Sequence, residues 1–184
     1  MTSIDADQAR RVLRDAERVY AHADIERALD RMSADITDEI GRSDPVVLTV
    51  LTGGIIPAGH LLTRFDFPLH LDYVHATRYG GGTAGGTLAW RARPATPLVG
   101  RCVLVVDDIL DEGITLAGIL DFCREQGAAR VLSAVLIRKR HDRCVAGLKP
   151  DFVGLEVDDR YVFGFGMDYH GYHRNLTGIF AVRE

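Results

Sequence analysis

The segment of residues 103–115, Val-Leu-Val-Val-Asp-Asp-Ile-Leu-Asp-Glu-Gly-Ile-Thr, constrains this chain more than any other. Its uninterrupted apolar run reads as a strand buried on both faces, as in a parallel sheet covered by helices. The run ends in Asp107 and Asp108. Asp111, Glu112 and Gly113 follow, and Ile114 and Thr115 open a stretch with helical periodicity. Ligands of open parallel sheets sit beyond the carboxyl ends of the strands, so this strand delivers two acids to such a mouth. Adjacent residues of an extended chain face opposite ways. Both acids can therefore serve one ligand only if the strand turns at that point. Carboxylates accept hydrogen bonds from diols and bind hard cations. The turn at 111–115 converges main-chain N–H groups at the start of a helix, whose dipole favours an anion. A glycine at 113 lets the backbone approach that anion closely.

The remaining pattern is that of one α/β domain over residues 1–184. Val12, Ala16, Val19 and Tyr20, then Ile25, Leu29, Met32, Ile36 and Ile40, fall at helical spacing, so residues 5–41 are expected to be helical with Gly41 as the stop. Residues 45–51 read as a second buried strand, broken by Gly53 and Gly54, and Pro57 suits the first turn of a helix to about residue 65. Further strands are expected over 67–75, 87–92, 102–107, 131–137, 152–155 and 161–165, with a helix over 115–126. Strands alternating with helices imply a mainly parallel, twisted sheet flanked by helices. The glycine-rich run 77–87 reads as a mobile loop.

The net charge of −4 argues against bulk electrostatic binding of nucleic acid. No stretch is apolar for long enough to span a bilayer, and the polar N-terminus lacks a signal-peptide core. Cys102, Cys123 and Cys144 are scattered without metal-ligand spacing, which suits reduced thiols. A cytoplasmic protein with no membrane and no nucleic-acid partner is expected.

The 103–115 segment closely resembles the phosphoribosyl diphosphate (PRPP) signature of type I phosphoribosyltransferases. The likeness runs over residues 45–175 and is nearest to the 6-oxopurine, hypoxanthine-guanine type. It implies that family's fold, with a core at about residues 42–150 and a small hood from residues 1–41 and 151–184. It also implies that Asp107 and Asp108 hold the ribose hydroxyls and, indirectly, Mg²⁺. Asp111, Glu112, Gly113, Ile114 and Thr115 would cradle the 5′-phosphate. Leu51-Thr52-Gly53-Gly54 resembles the loop that binds pyrophosphate through main-chain amides, with Thr52 where many members carry Lys. Thr77-Arg78-Tyr79 resembles the start of the flexible loop that closes over the reaction centre. In the run Arg138-Lys139-Arg140, either Lys139 or Arg140 would donate to the purine O6.

Residues 158–174 resemble the C-terminal hood over the base. By that likeness Tyr161 stacks on the purine, Val162 reads its edge through the backbone, Asp168 holds Mg²⁺ and Arg174 contacts pyrophosphate. The resemblance implies purine salvage: transfer of the 5-phosphoribosyl group from PRPP to N9 of hypoxanthine or guanine, giving IMP or GMP. Asp111 would be the base, with its pKa raised by burial beside Asp107 and Asp108. Family members usually form homodimers or homotetramers. Two alternatives stay open: a xanthine-preferring transferase, and a non-catalytic, nucleotide-sensing regulator of the same fold with a basic face.

Overall fold

The computed structural model describes residues 4–78 and 88–183. The chain begins with helix α1 (Ala6–Asp15), strand β1 (Glu17–Tyr20) and helix α2 (His22–Ile40). The single helix expected over 5–41 is thus two helices with a strand between. Ala16 is already extended, and Glu17 to Tyr20 pair antiparallel with β9 (Ile179–Ala181). That partner lies some 160 residues away, so local periodicity could not reveal it. α2 restarts where the Asp24 carboxylate accepts the Ala21 N–H at 2.9 Å. Its buried stripe of Ile25, Leu29, Met32, Ile36 and Ile40 is the apolar face foreseen by spacing.

A six-stranded sheet forms the centre, in the order β4-β3-β2-β5-β6-β7. It comprises β2 (Val46–Val50), β3 (His70–Arg78), β4 (Leu88–Ala92), β5 (Cys102–Leu110), β6 (Arg130–Arg140) and β7 (Phe152–Asp158). All pairings are parallel except that of the edge strand β4 on β3. Every residue of β2 is buried, as a strand covered on both faces requires. Helices α2 and α3 (Ile55–Leu62) pack into the core on one side of the sheet, and α4 (Ile114–Glu125) into the core on the other. The fold is α/β with a mainly parallel sheet.

β1, β9 and β8 (Val162–Phe163) form a separate three-stranded antiparallel sheet from the two ends of the chain. Residues 152–158, expected in the hood, instead pair in parallel with β6 and close one edge of the large sheet. Tyr20 ties the two sheets together by donating its hydroxyl to the Glu156 carbonyl. β3 starts three residues later than expected, and β5 and β6 each run three residues further. Among the described residues, no helix is long and apolar enough to cross a membrane.

Candidate active site

Asp107 and Asp108 lie within β5, not beyond its end, which corrects the expectation of a turn at that point. What lets both serve one site is the unequal length of the neighbouring strands. β6 continues to pair with β5 through Asp107, Ile109 and Leu110, but the β2 ladder stops at Thr49 opposite Val106. Where β2 gives way to the loop at 51–54, the flank of β5 lies open. A cavity of about 450 Å³ fills that gap, and Asp107, Asp108, Asp111 and the whole turn to Thr115 line it. Gly53, Asp168 and Arg174 line it from the opposite walls.

The acid pair is electrostatically costly. Each carboxylate accepts the N–H of the next residue, Asp108 and Ile109, at 2.9 Å. Burial, and then the charge of Asp108, push the Asp107 carboxyl well above the usual carboxylate range. Burial also raises Asp108, while Arg174 pulls both down. The turn is anion-ready. Gly113 adopts φ +79° and occupies the position before the first helical residue of α4. A side chain there would be strained, and its Cβ would sit 2.4 Å from Leu148. Thr115 lies one residue inside α4 and is not its cap. The first N–H groups of α4 have no intrahelical partner and open onto the cavity.

The loop at 51–54 contains a cis peptide between Leu51 and Thr52. Gly53 runs so close to Asp108 that a Cβ would lie 2.0 Å from its carboxylate oxygen. The Leu51 and Gly54 N–H groups are bound to Val74 and Val50 carbonyls. Among the described residues the N–H groups of Thr52 and Gly53 have no such partner, so any anion in this loop falls to them. The Thr52 side chain is exposed and neither Thr52 nor Gly54 lines the cavity.

A second cavity of about 170 Å³ adjoins the first and shares Asp108, Ile109, Asp111 and Asp168 with it. Lys139, Tyr161, Val162 and Met167 complete its walls. Strand alternation selects Lys139 over Arg140. Lys139 is 13% exposed and faces inward, while Arg140 points outward to pair with Asp158. Tyr161 is half-exposed at the rim, edge-on to Tyr169. Asp168 is already occupied: Arg174 pairs with one oxygen at 2.6 Å and the Gly171 N–H donates to the other at 2.7 Å. Arg174 also donates to the Gly166 carbonyl, which anchors it to the hood.

Asp111 departs from expectation. Burial opposes its charge, but hydrogen bonds from Lys139 Nζ and His141 Nε2, both at 2.7 Å, outweigh it and hold the carboxyl below its ordinary value. His141 did not emerge from the sequence. Its only signal was position, one residue past the basic run. Thr77 ends in β3 outside both linings, and Arg78 closes β3 opposite Leu88. The mobile loop was expected over 77–87; its first two residues belong instead to β3, whose ladder with β4 they extend, and Tyr79 with the rest of it to 87 lies outside the described residues.

The arrangement can hold an anion, a diol and a flat ring side by side, with one carboxylate between them. Comparisons with known proteins identify the family. A model of the phosphoribosyl transferase domain matches residues 15–170. The hypoxanthine-guanine-xanthine phosphoribosyltransferase of Tritrichomonas foetus is 33% identical over 92% of this chain and 93% of its own. The hypoxanthine-guanine phosphoribosyltransferase of Bacillus subtilis is 31% identical over 92% of this chain and 94% of its own. A solved hypoxanthine-guanine-xanthine phosphoribosyltransferase superposes with a TM-score of 0.85 at 29% identity, covering 93% of this chain and 99% of that one. The chain belongs to the phosphoribosyltransferase family, enzymes of pentosyl transfer.

Proposed function

We propose that this protein transfers the 5-phosphoribosyl group of PRPP to N9 of hypoxanthine or guanine, releasing pyrophosphate and forming IMP or GMP. The observation that carries the reading is the pair of adjoining cavities with Asp111 in their shared wall. The larger suits the phosphorylated sugar and the smaller, rimmed by Tyr161, suits a purine.

In this reading the N–H groups opening α4 and the Thr115 hydroxyl bind the 5′-phosphate. Asp107 and Asp108 accept from the ribose hydroxyls. The N–H groups of Thr52 and Gly53, with Arg174, hold pyrophosphate as negative charge grows on its leaving oxygen. Lys139 donates to the purine O6, which favours 6-oxopurines over adenine. Tyr161 stacks on the base, a contact worth about 1–3 kcal/mol. Asp111 accepts the proton that the ring loses as its C–N bond forms. Mg²⁺ fits the site, since the partly buried Asp107 and buried Asp108 are adjacent hard-oxygen donors whose charge is disfavoured and Asp168 lines the same cavity. Bound there, it would supply charge neutralisation for the pyrophosphate oxygens.

An absorbance assay with PRPP and Mg²⁺, run separately on hypoxanthine, guanine, xanthine and adenine, tests this. Turnover of hypoxanthine or guanine with little adenine is expected. The name of the Tritrichomonas foetus relative gives xanthine a place in the panel. No turnover of any base, with nucleotide still bound, would instead make the protein a nucleotide-sensing regulator. Asp111→Asn is expected to lose about 10²–10⁴ in kcat while PRPP still binds. Near-normal kcat would remove Asp111 from the proton step.

A further inference from the structure

His141 lies just past β6, and its side chain is 4% exposed. The Arg143 main-chain N–H donates to its Nδ1 at 3.1 Å. A ring nitrogen that accepts carries no proton, so the neutral ring keeps its hydrogen on Nε2 and donates it to Asp111 Oδ1. Asp159, paired with Arg143, brings a carboxylate oxygen within 4.8 Å of the ligand atoms of Asp111 and His141. Within that trio His141 is hydrogen-bonded to Asp111, whereas Asp159 is held by the Arg143 guanidinium. With Nδ1 accepting, a metal on Nε2 would require the ring to lose its remaining proton.

Lys139 Nζ holds the other oxygen, Asp111 Oδ2. Each oxygen of the proposed proton acceptor therefore already carries a donor, and the cation on Oδ2 makes the carboxylate a weaker base towards a purine N–H. Lys139 has a flexible four-carbon stem and lines the base cavity. His141 is buried and pinned at both nitrogens. Of the two donors, Lys139 is the one able to leave.

We propose that His141 is a positioning residue: it anchors Asp111 Oδ1 while Lys139 moves from Oδ2 to the exocyclic oxygen of the incoming base, freeing Oδ2 to take the ring proton. As the transfer proceeds, the C1–N9 bond forms, the bond from C1 to pyrophosphate oxygen breaks, and the ring proton passes to Oδ2. A base without the exocyclic oxygen leaves Lys139 on Asp111, so the acceptor keeps its cation and stays the weaker base. Selectivity then acts on the chemical step as well as on binding. The charged groups around this centre are Lys139 on β6, Asp108 on β5, Glu112 in the turn, Asp168 in the hood, and Arg143 with Asp159 beyond the strand ends. The inference rests on Asp111 as the proton acceptor.

His141→Leu removes the donor at similar bulk, and His141→Gln keeps a donor at similar reach. With PRPP and hypoxanthine, His141→Leu is expected to lower kcat/KM for the base by roughly 10- to 100-fold, the range for losing one hydrogen bond to an ionised carboxylate. KM for PRPP should hold. The acid limb of the pH profile should move upward by about one unit as Asp111 loses a donor. His141→Gln should restore most of both. An unchanged rate and limb in His141→Leu, or a Gln variant no better than Leu, overturns the proposal. Independently of folding, ¹⁵N NMR of the unaltered protein should show His141 bare at Nδ1 and protonated at Nε2; the opposite tautomer also overturns it. An active Asp111→Asn enzyme would instead dismiss Asp111 itself as the acceptor. An inactive one beside a normal His141→Leu enzyme would dismiss only His141.

Discussion

Asp107 illustrates how a binding residue can oppose folding. Its carboxyl sits above the usual range because burial and Asp108 both disfavour its charge. The folded chain therefore holds a proton that the unfolded chain, with an Asp pKa of about 3.9, gives up. Stability from this group falls as pH rises above that value and keeps falling until the raised folded pKa is passed. Asp111 has the opposite sign: its folded pKa is depressed, so its contribution is present above the unfolded value and is lost as pH falls through the folded one. Asp107→Asn removes the ionisable group, and with it the cost of burying its charge or of taking up a proton. The ligand-free variant is expected to melt roughly 2–4 °C higher at neutral pH, the shift of about 1 kcal/mol in a chain of this size, while its PRPP affinity drops. Calorimetry alongside PRPP titration checks both; a lower melting temperature would mean that the hydrogen bond Asp107 accepts from the Asp108 N–H outweighs that cost. At this scale the acids and Gly113 were legible because their residue types carry the chemistry. His141 was not, because nothing local distinguishes a buried histidine that meets a carboxylate 30 residues away.

Among the elements, the loop between β2 and α3 decides the shape of the site. Gly53 lies against the Asp108 carboxylate with no room for a methyl group. Gly53→Ala must push the loop or the acid aside. Overpacking of this kind typically costs about 1–3 kcal/mol, and here it also moves the two N–H groups proposed to bind pyrophosphate. The variant is expected to fold with a lower melting temperature and to lose at least about tenfold in PRPP affinity, while the base pocket, walled by Lys139 and Tyr161, changes little. Titration calorimetry with PRPP measures this; intact affinity would show that the loop is not the pyrophosphate contact. The buried strands were readable from their apolar runs. Their last residues were not: β5 and β6 continue past the apolar segment because each finds a ladder partner, so Asp108 and Lys139 are strand residues on inward faces. β1 was missed for the same reason, since its pairing with β9 overrides a helical period.

Across the whole molecule, the two cavities meet where the large sheet and the small terminal sheet come together. Tyr161 and Arg174 reach the site from the segments flanking β8, and Asp107 to Thr115 from the end of β5 and the turn into α4. A ligand that bridges them should stabilise the entire fold. PRPP with Mg²⁺ at about 100 times its dissociation constant is worth about 2.7 kcal/mol, or a rise of roughly 5–10 °C in melting temperature. Thermal melts with PRPP, with and without a chelator, test this. A full shift in the chelator's presence would remove the metal from binding. The sequence by itself determined the parallel α/β class, the acid-and-glycine segment and the anion-ready helix start, because buried strands, turn residues and charged side chains announce themselves within a few residues. Only the tertiary structure decided that Lys139 rather than Arg140 lines the smaller cavity, that among the described residues the amides of Thr52 and Gly53 keep no main-chain partner, and that Asp111 lies clamped between Lys139 and His141. Those outcomes depend on strand register and on side chains meeting from distant parts of the chain, which no local pattern encodes.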